Sequence, residues 1–269
     1  MLSPSARHRS VNEHAFDTIY KQRKWGGDGL RSSLSGSGSS LSESRNLCAL
    51  LVGQVALVAR RRQSTTVSLL DAAMGDLFWM SHCLPKIARA LPDDTRLLYQ
   101  GVDVAPMAIA IAEQRRLVIA AKLGRSVSIA PFKQLDLAEL GSIHALPLRS
   151  YDVVICNDAL MHLPIRDIFT ALTNMNSVGG SLFITNSAVR PRITTLRLTR
   201  NAKTGRNQVS NRRESLGPIN GEIRPGEHRG IDLKLHPFSL GGVQHSVASS
   251  TDNELLEVWP FPLLLRNNS

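Results

Sequence analysis

Residues 67–80, Val-Ser-Leu-Leu-Asp-Ala-Ala-Met-Gly-Asp-Leu-Phe-Trp-Met, form the stretch on which the fold depends. The apolar run at 67–70 predicts a buried strand. It ends at Asp71 in small residues and a glycine before an apolar, helical segment begins. A strand, a tight turn and a helix bring backbone N–H groups and a helix N-terminus close to a bound nucleotide. The turn lacks the full G-x-G-x-x-G pattern, so an ordinary strand–turn–helix corner is the alternative.

A second acid follows the next predicted strand. Residues 98–103, Leu-Tyr-Gln-Gly-Val-Asp, form an apolar run that ends in Asp103. An acid at the end of the second strand of such a unit is placed to accept hydrogen bonds from ribose hydroxyls. Asp103 therefore favours a nucleotide-binding site over a plain structural corner.

Predicted strands and helices alternate through the middle of the chain. Periodicity indicates strands at 67–70, 97–102, 127–135, 151–156 and 181–185, and helices at 41–61, 77–91, 107–123 and 164–175. Gly179 and Gly180 indicate a turn before the last of these strands. The alternation predicts an α/β fold with a doubly wound, mostly parallel sheet and helices on both faces.

The first 44 residues have a different character. Residues 15–25 predict a short amphipathic helix, with Phe16, Ile19 and Tyr20 on one face, and a Gly/Ser-rich run follows at 26–40. Such a run is most simply a flexible linker. Because Trp25 and Arg31 accompany the glycines, the alternative is an arm that closes over a ligand.

The regular alternation stops after Asn186. Residues 187–229 are polar, basic and rich in Asn, Gly and Ser, which predicts a flexible insertion within a domain that spans 45–269. Residues 230–238 alternate apolar and polar side chains as a strand does. We expect a final strand at 255–259 to pair antiparallel with it at the sheet edge.

The chain has a formal charge of +10, which favours anionic partners such as nucleic acid, phosphorylated metabolites or an acidic membrane surface. Much of the excess lies in one acid-free segment, at Arg190, Arg192, Arg197, Arg200, Lys203, Arg206, Arg212 and Arg213. The simpler interpretation is therefore a basic loop on an otherwise ordinary enzyme.

The cysteines are Cys48, Cys83 and Cys156, odd in number and without a C-x-x-C pair. This pattern argues against a disulfide framework and a structural zinc site, and it suits a reducing compartment. His82 beside Cys83 is a weak metal-ligand candidate, because no further ligands cluster nearby. We expect no metal.

No apolar run reaches transmembrane length, since the longest, at 48–59, is interrupted by Gly53 and Gln54. The N-terminus has no apolar signal-peptide core. We therefore expect a cytoplasmic protein without a membrane partner. The basic, acid-free start of the chain leaves organelle targeting as the alternative.

The order of acids at the strand ends resembles that of class I S-adenosylmethionine-dependent methyltransferases, whose sheet is Rossmann-like. The resemblance is closer to a group of predicted methyltransferases that carry a Trp-Gly-Gly…Ser-Gly-x-Gly-Ser-Ser segment, here Trp25-Gly-Gly and 35–40. Their first loop, Leu-Asp-x-x-Cys-Gly-Asp-Phe-x-Trp-Met, corresponds to residues 70–80. Residues 152–163 and the late Gly-Glu-His-Arg-Gly-Ile-Asp-Leu at 226–233 also match.

The resemblance implies an S-adenosyl-L-methionine cofactor and a role for each matching position. The loop backbone from Ala73 to Asp76 would approach the methionine part, and a loop acid would receive its ammonium. The second-strand acid would bind the ribose diol, and the third-strand acid the adenine amino group. Trp25 and the Ser/Gly arm would cover the pocket. The implied cofactor-binding residues are Trp25, Asp71, Ala73, Gly75, Asp76, Asp103, Asp136 and Asn157.

Each acid has an alternative role as a turn or helix-capping residue, and Asp76, just ahead of the helix, is the most ambiguous. Two positions depart from the pattern of the group. Ala73 stands where many methyltransferases have glycine, and Met74 replaces the usual cysteine. Alanine adopts a positive φ only at a cost in energy. The departures predict weaker cofactor binding, with a catalytically inactive relative as the alternative.

Methyl transfer needs alignment, exclusion of water and, for some acceptors, a base. The candidates for the base are His162 and Asp158, just past the fourth predicted strand, while Glu227 and His228 could reach the pocket from the late loop. The alternative for His162 is a packed structural histidine. We expect methyl transfer to an O or N nucleophile of an unidentified acceptor.

The acceptor is expected to be a small molecule or a protein rather than nucleic acid. The Asn/Asp-Pro-Pro-aromatic signature of nucleic-acid amine methylation is absent after the fourth strand, and no Pro-Cys nucleophile occurs. A nucleic-acid methyltransferase or binder that uses the arginine-rich segment remains the first alternative. A catalytically inactive Rossmann-type module is the second. A dehydrogenase is disfavoured, because acids rather than phosphate-cradling glycines fill the first loop.

Overall fold

The structure is a computed structural model that describes residues 10–29, 31–188, 197–200, 207–210, 219–250 and 254–265. Its α-helices are α1 (Val11–Lys21), α2 (Arg45–Arg62), α3 (Phe78–Ala90), α4 (Pro106–Leu123) and α5 (Ile165–Val178). The first six strands are β1 (Thr66–Ala72), β2 (Arg96–Asp103), β3 (Val127–Ile129), β4 (Lys133–Gln134), β5 (Tyr151–Cys156) and β6 (Gly179–Ala188). The remaining strands are β7 (Arg197–Arg200), β8 (Asn207–Ser210), β9 (Leu240–Gly241), β10 (His245–Ala248), β11 (Glu254–Pro260) and β12 (Leu264–Leu265).

One large sheet carries the fold, with strand order β10-β11-β6-β5-β1-β2-β3 and β4 paired to β2 beside β3. Strands β1 to β6 pair in parallel, whereas β11 is antiparallel to both β6 and β10. The predicted doubly wound, mostly parallel sheet with an antiparallel C-terminal edge is thereby confirmed. Parallel strands are joined through helices, so their carboxyl ends all meet at one edge of the sheet.

Both faces of the sheet are buried, because successive side chains of a strand point to opposite sides. On β5, Val153 and Ile155 pack with α2 and α3, whereas Val154 and Cys156 pack with α5 and α1. This two-sided burial explains why the central strands are continuous apolar runs rather than alternating ones.

The third predicted strand is divided into β3 and β4. Pro131 lies between them and has no N–H group for a ladder hydrogen bond, and the N–H of Phe132 bonds instead to the Glu113 carboxylate at 2.6 Å. The chain resumes pairing with β2 only at Lys133. The interruption therefore has a local cause.

The turn predicted at Gly179 and Gly180 is wrong, because both residues belong to β6. Gly179 is required for packing: a Cβ atom there would lie 2.2 Å from the Phe261 ring. A glycine inside a strand commonly marks such a close approach rather than a turn.

The strand predicted at 230–238 is also wrong. Ile231, Leu233 and Phe238 are buried, but so is Asp232, whereas Leu235 is only partly buried. The segment forms turns in which Asp232 accepts from the N–H of Lys234. The final strand, β11, pairs with β6 and β10 instead. The alternation of apolar and polar residues therefore predicted neither the strand nor the pattern of burial.

Several parts of the segment predicted as a flexible insertion at 187–229 have regular structure or pack on the domain. Strand β6 continues through Ala188, and β7 pairs antiparallel with β8. Residues 219–229 pack against the turn that holds His162, where Gly226 N–H donates to the His162 carbonyl at 2.9 Å. Arg190, Arg192, Lys203, Arg206, Arg212 and Arg213 lie outside the described residues.

Cys48 of α2 and Cys83 of α3 form a disulfide, whereas Cys156 is free and buried in β5. The expectation from cysteine spacing was therefore wrong. The two partners are 35 residues apart in sequence and meet only because α2 and α3 pack on the same face of the sheet. Across the described residues, no helix is long and apolar enough to cross a bilayer.

The disulfide gives a first testable expectation. Alkylation of the denatured, oxidised protein should modify Cys156 alone, and all three cysteines should react only after reduction. Closing a loop of this length should also stabilise the fold, so reductant should lower the free energy of unfolding by about 3–4 kcal/mol in urea titrations. A Cys48→Ala/Cys83→Ala variant is the matched control and should not respond to reductant. Three alkylated cysteines before reduction would contradict the pairing.

Candidate active site

A cavity opens at the carboxyl edge of β1, β2, β4 and β5, where strand-end residues and the N-terminal segment meet. It encloses about 830 Å³, including its open mouth. Nine of the ten predicted site residues line it: Trp25, Asp71, Ala73, Gly75, Asp103, Asp136, Asn157, Asp158 and His162.

The loop between β1 and α3 has an unusual backbone. Ala73, Gly75 and Leu77 have φ angles of 72°, 62° and 61°, so three of its five residues lie in the left-handed region. The N–H groups of Ala73 and Met74 both donate to the Val102 carbonyl, which fixes the loop to the end of β2. Non-glycine residues in this region typically cost about 1–3 kcal/mol and concentrate at functional sites.

Gly75 is required for space as well as for its φ angle. A Cβ atom there would lie 2.3 Å from Ser35 Oγ and 3.1 Å from Tyr20 Oη. The loop, the arm and α1 therefore meet at this glycine, and a side chain would separate them.

Asp103 lies at the end of β2 with both oxygens engaged by backbone. Its Oδ2 accepts from Gly75 N–H and its Oδ1 from Ala105 N–H, each at 2.9 Å. Burial raises the pKa of Asp103 to about 6, against these hydrogen bonds and with a small contribution from Asp76. The Val104 N–H also interacts with this carboxylate, so three backbone donors leave about one of its four acceptor positions for a hydroxyl donor.

Asp71, at the end of β1, is buried and also lines the cavity. Its Oδ2 accepts from Tyr99 Oη at 2.7 Å. Burial raises the pKa of Asp71 to about 7, and the nearby Asp103 charge raises it further. Two buried carboxyl groups in one cavity favour a ligand that brings positive charge.

Asp76 is the predicted site residue that does not line the cavity. Its carboxylate accepts from Ser33 Oγ at 2.9 Å and from Leu34 N–H at 2.8 Å, and it pairs with Arg115 at 2.9 Å. The Arg115 guanidinium also donates to the Gly29 carbonyl at 2.8 Å. Asp76 therefore fastens the Gly/Ser arm to the first loop.

The arm forms one wall of the cavity through Trp25, Ser35 and Ser39. Ser35 Oγ shares a 2.7 Å hydrogen bond with Tyr20 Oη and accepts from Asp76 N–H at 3.0 Å. Gly38 packs so closely on Asp158 that a Cβ atom there would lie 2.2 Å from Asp158 Oδ2. In the structure the run is thus docked rather than extended away from the domain as a linker.

At the other end of the cavity, Asp136 is bound by the N-terminal segment. Its Oδ2 accepts from Ser10 Oγ at 2.7 Å, and its Oδ1 accepts from Ala138 N–H at 2.9 Å. Asn12 Nδ2 lies 3.3 Å from both oxygens. The cavity walls beside it are apolar and comprise Phe16, Val104, Leu135, Leu137 and Leu163.

Asn157 and Asp158 follow β5. Asp158 has a φ of 51°, and its oxygens accept from Asn186 Nδ2 and Asn157 Nδ2, each at 2.9 Å. Burial raises the pKa of Asp158 to about 7, with the charges of Glu254 and Glu43 adding to it. Asn157 Oδ1 is buried without a hydrogen-bond partner among the described residues.

His162 has a defined tautomer. Its Nδ1 lies 2.8 Å from the Glu227 carbonyl, which can only accept, so Nδ1 carries the proton and Nε2 is the free acceptor. Burial lowers its pKa to about 4, opposed by this hydrogen bond and aided by the charges of His228 and Arg229. The neutral ring packs on Trp25 at 5.0 Å and on His228 at 5.5 Å between centroids.

Two residues that support the cavity walls, Arg115 and Asn12, were not predicted from the sequence. Arg115 carried no signal, because its role depends on the arm 86 residues earlier in the chain. Asn12 likewise gave none, since it resembles any polar residue at a helix start. His82 bonds to the Phe78 carbonyl at 3.0 Å, and no group of three potential metal ligands occurs within the described part of the chain.

No protein-family model matches the chain, and no curated protein matches it. Among solved structures, it is similar to magnesium protoporphyrin IX methyltransferase from Synechocystis PCC 6803 with bound SAH (S-adenosylhomocysteine). The TM-score is 0.51 at 19% identity over 93% of this chain and 99% of that one. The same enzyme with bound SAM (S-adenosylmethionine) gives 0.49 at 17% identity over 95% and 100%. The DhpI–SAH complex gives 0.43 at 17% identity over 93% and 98%. The chain therefore has the Rossmann-like fold of class I methyltransferases.

The loop geometry predicts that replacing Ala73 with glycine is tolerated, whereas the same change at the neighbouring Ala72 is destabilising. In Ala73→Gly, relief of the left-handed φ offsets the added chain entropy. The free energy of unfolding should then stay within about 1 kcal/mol of wild type or rise. Ala72→Gly places glycine within buried β1 and should cost about 1.5–2 kcal/mol. Urea unfolding of both variants measures the difference, and an equal loss in the two would show that Ala73 is not strained.

Proposed function

We propose that the protein is a SAM-dependent methyltransferase that transfers a methyl group to an O or N nucleophile of an unidentified acceptor. The observation that supports this most is the placement of Asp71 and Asp103 in one cavity, at the ends of β1 and β2, in a fold of class I methyltransferases. The cofactor combines a ribose diol with positive charge, and these two carboxyl groups suit both.

The lining of the cavity fits this cofactor. Asp103 would accept from a ribose hydroxyl at the acceptor position that its three backbone donors leave open, and Asp71 would receive the ammonium group. The left-handed backbone at Ala73 and Gly75 would lie along the methionine part, with Asn157 Oδ1 as a buried acceptor still to be satisfied. Trp25 and the docked arm would exclude water from the same region.

The chain's own contribution to the chemistry is positioning and proton acceptance. When bound, the cofactor supplies an electrophilic methyl group for in-line displacement. An effective general base has a pKa close to the working pH. Asp158, with a pKa of about 7, meets this condition better than His162, with a pKa of about 4. We therefore assign the role of proton acceptor to Asp158. We assign the orientation of the methyl-accepting molecule to Nε2 of His162.

The alternative of an inactive module rested on the inability of alanine to take the loop conformation without cost. Ala73 adopts a φ of 72° in this structure, so alanine at this position costs stability but still allows the loop its left-handed conformation. The nucleic-acid alternative depends on arginines that lie mostly outside the described residues. It predicts steep salt dependence of binding to a duplex or single strand, because released counterions weaken affinity as salt rises.

Calorimetric titration with SAM and SAH tests the cofactor directly. We expect wild-type binding in the micromolar range and at least about a tenfold loss in Asp103→Asn, because a charged acceptor for the ribose is removed. Asp152→Asn is the matched control. Asp152 is equally buried and binds backbone at 2.8 Å, but it lies at the opposite, amino edge of the strands.

Two outcomes would count against the cofactor assignment. Absence of SAM and SAH binding by folded wild-type protein would overturn the proposed function. Equal losses in Asp103→Asn and Asp152→Asn would show that general destabilisation, rather than ribose recognition, explains the effect.

Cofactor affinity should also depend on pH through Asp71. Because its pKa is raised to about 7, the carboxyl group is charged above that pH and increasingly neutral below it. A neutral acid does not attract an ammonium, so SAH affinity should fall as pH decreases from 8 to 6, by at most about tenfold per unit. Binding near pH 6 should release protons, measured in two buffers of different ionisation enthalpy. Asp71→Asn should bind more weakly at pH 8, and its affinity should change less with pH. A flat wild-type profile would exclude Asp71 as the ammonium partner.

A further inference from the structure

Asn12 lies in the first turn of α1 and reaches the cavity beside Asp136. The residue is 4% exposed and contributes to the cavity lining. Its Nδ2 donates to Asp136 and, at 3.2 Å, to Asp167 Oδ2. Asn12 of α1 is thus part of the cavity wall at which Asp136 was the only predicted adenine-binding residue.

The orientation of the Asn12 amide is fixed by its neighbours. Reversing the amide would place its oxygen against the carboxylates of Asp136 and Asp167, so the nitrogen must face them. Oδ1 then points away from both acids. This oxygen is buried and has no hydrogen-bond partner among the described residues. A buried acceptor of this kind is costly unless a donor reaches it.

Asp136, in contrast, is already occupied. Oδ2 accepts from Ser10 Oγ and Asn12 Nδ2, and Oδ1 accepts from Ala138 N–H and the same Nδ2. Asn12 Nδ2 has only two hydrogens and also donates to Asp167, so one hydrogen is shared between the two Asp136 oxygens. Three donors thus occupy most of the four or so acceptor positions of this carboxylate. The acceptor at this end of the cavity that has no partner among the described residues is Asn12 Oδ1.

We propose that Asn12 Oδ1 accepts a hydrogen bond from the exocyclic 6-amino group of the cofactor's adenine. This inference rests on the proposed function. It assigns recognition of the cofactor's adenine to a residue of α1. The apolar walls formed by Val104, Leu135 and Leu137 suit the faces of a purine, and Asn12 lies at the polar edge beside them. The nucleoside site is then completed by the N-terminal segment rather than by the sheet edge alone.

The test compares SAH with its analogue in which hydrogen replaces the 6-amino group, by calorimetry on the full-length protein. Leaving a buried acceptor unpaired should make wild type prefer SAH by about tenfold or more. In Asn12→Leu, which keeps similar volume without the amide, the preference should fall below about threefold. Asp17→Asn is the control. Asp17 belongs to the same helix and accepts from Met107 N–H at 3.2 Å outside the cavity lining, so this variant should keep the wild-type preference.

The outcomes separate this inference from the proposed function. Failure of folded wild type to bind SAH overturns both. Binding of SAH without preference over the analogue, or full preference retained in Asn12→Leu, overturns the adenine contact alone. So does loss of preference in Asp17→Asn, since the placement of α1 would then explain it. Should Asn12→Leu not fold, a crystal structure of the wild-type SAH complex decides the question. A distance from Asn12 Oδ1 to the adenine amino nitrogen of about 3.2 Å or less supports the contact, and one beyond about 3.5 Å overturns it.

Discussion

The site depends on the buried carboxylate of Asp76, which joins three parts of the chain. It binds the arm through Ser33 and Leu34, holds Arg115 of α4, and belongs itself to the loop after β1. The carboxyl edge of a parallel sheet is open by construction, because the crossover helices cover only its faces. In this protein the segment before α2 covers part of that edge, and Asp76 is one of the groups that hold it there.

The cavity contains several acids, although the chain as a whole has a net positive charge. The whole sequence is strongly basic, yet the cavity holds Asp71, Asp103 and Asp158, whose pKa values are all raised by burial. Burial penalises their charged forms, and a ligand with positive charge would restore them. His162 stays neutral beside them because burial lowers its pKa. The net charge of the chain therefore does not describe the cavity, whose lining includes several acids.

Strain and close packing are concentrated where the loop, α1 and the arm meet. Ala73 and Leu77 hold left-handed backbone on either side of Gly75, and the space above Gly75 is taken by Ser35 and Tyr20. Such backbone persists only when surrounding contacts enforce it. The hydrogen bonds from the loop to Val102 and Asp103 supply that enforcement, so the shape of the loop and the docking of the arm depend on each other.

The sequence by itself determined the order of strands and helices and the acids at the strand ends, because periodicity and turn chemistry are local properties. It predicted a strand at 230–238, where the structure has turns, since alternation does not specify a hydrogen-bond partner. Only the tertiary structure decided that Asp76 holds the arm, that Asp136 is occupied by Asn12, and that Cys48 meets Cys83. These partners lie 35 to 124 residues apart. Side chains so distant in sequence meet only after the elements have packed, and no local pattern records which of them will do so.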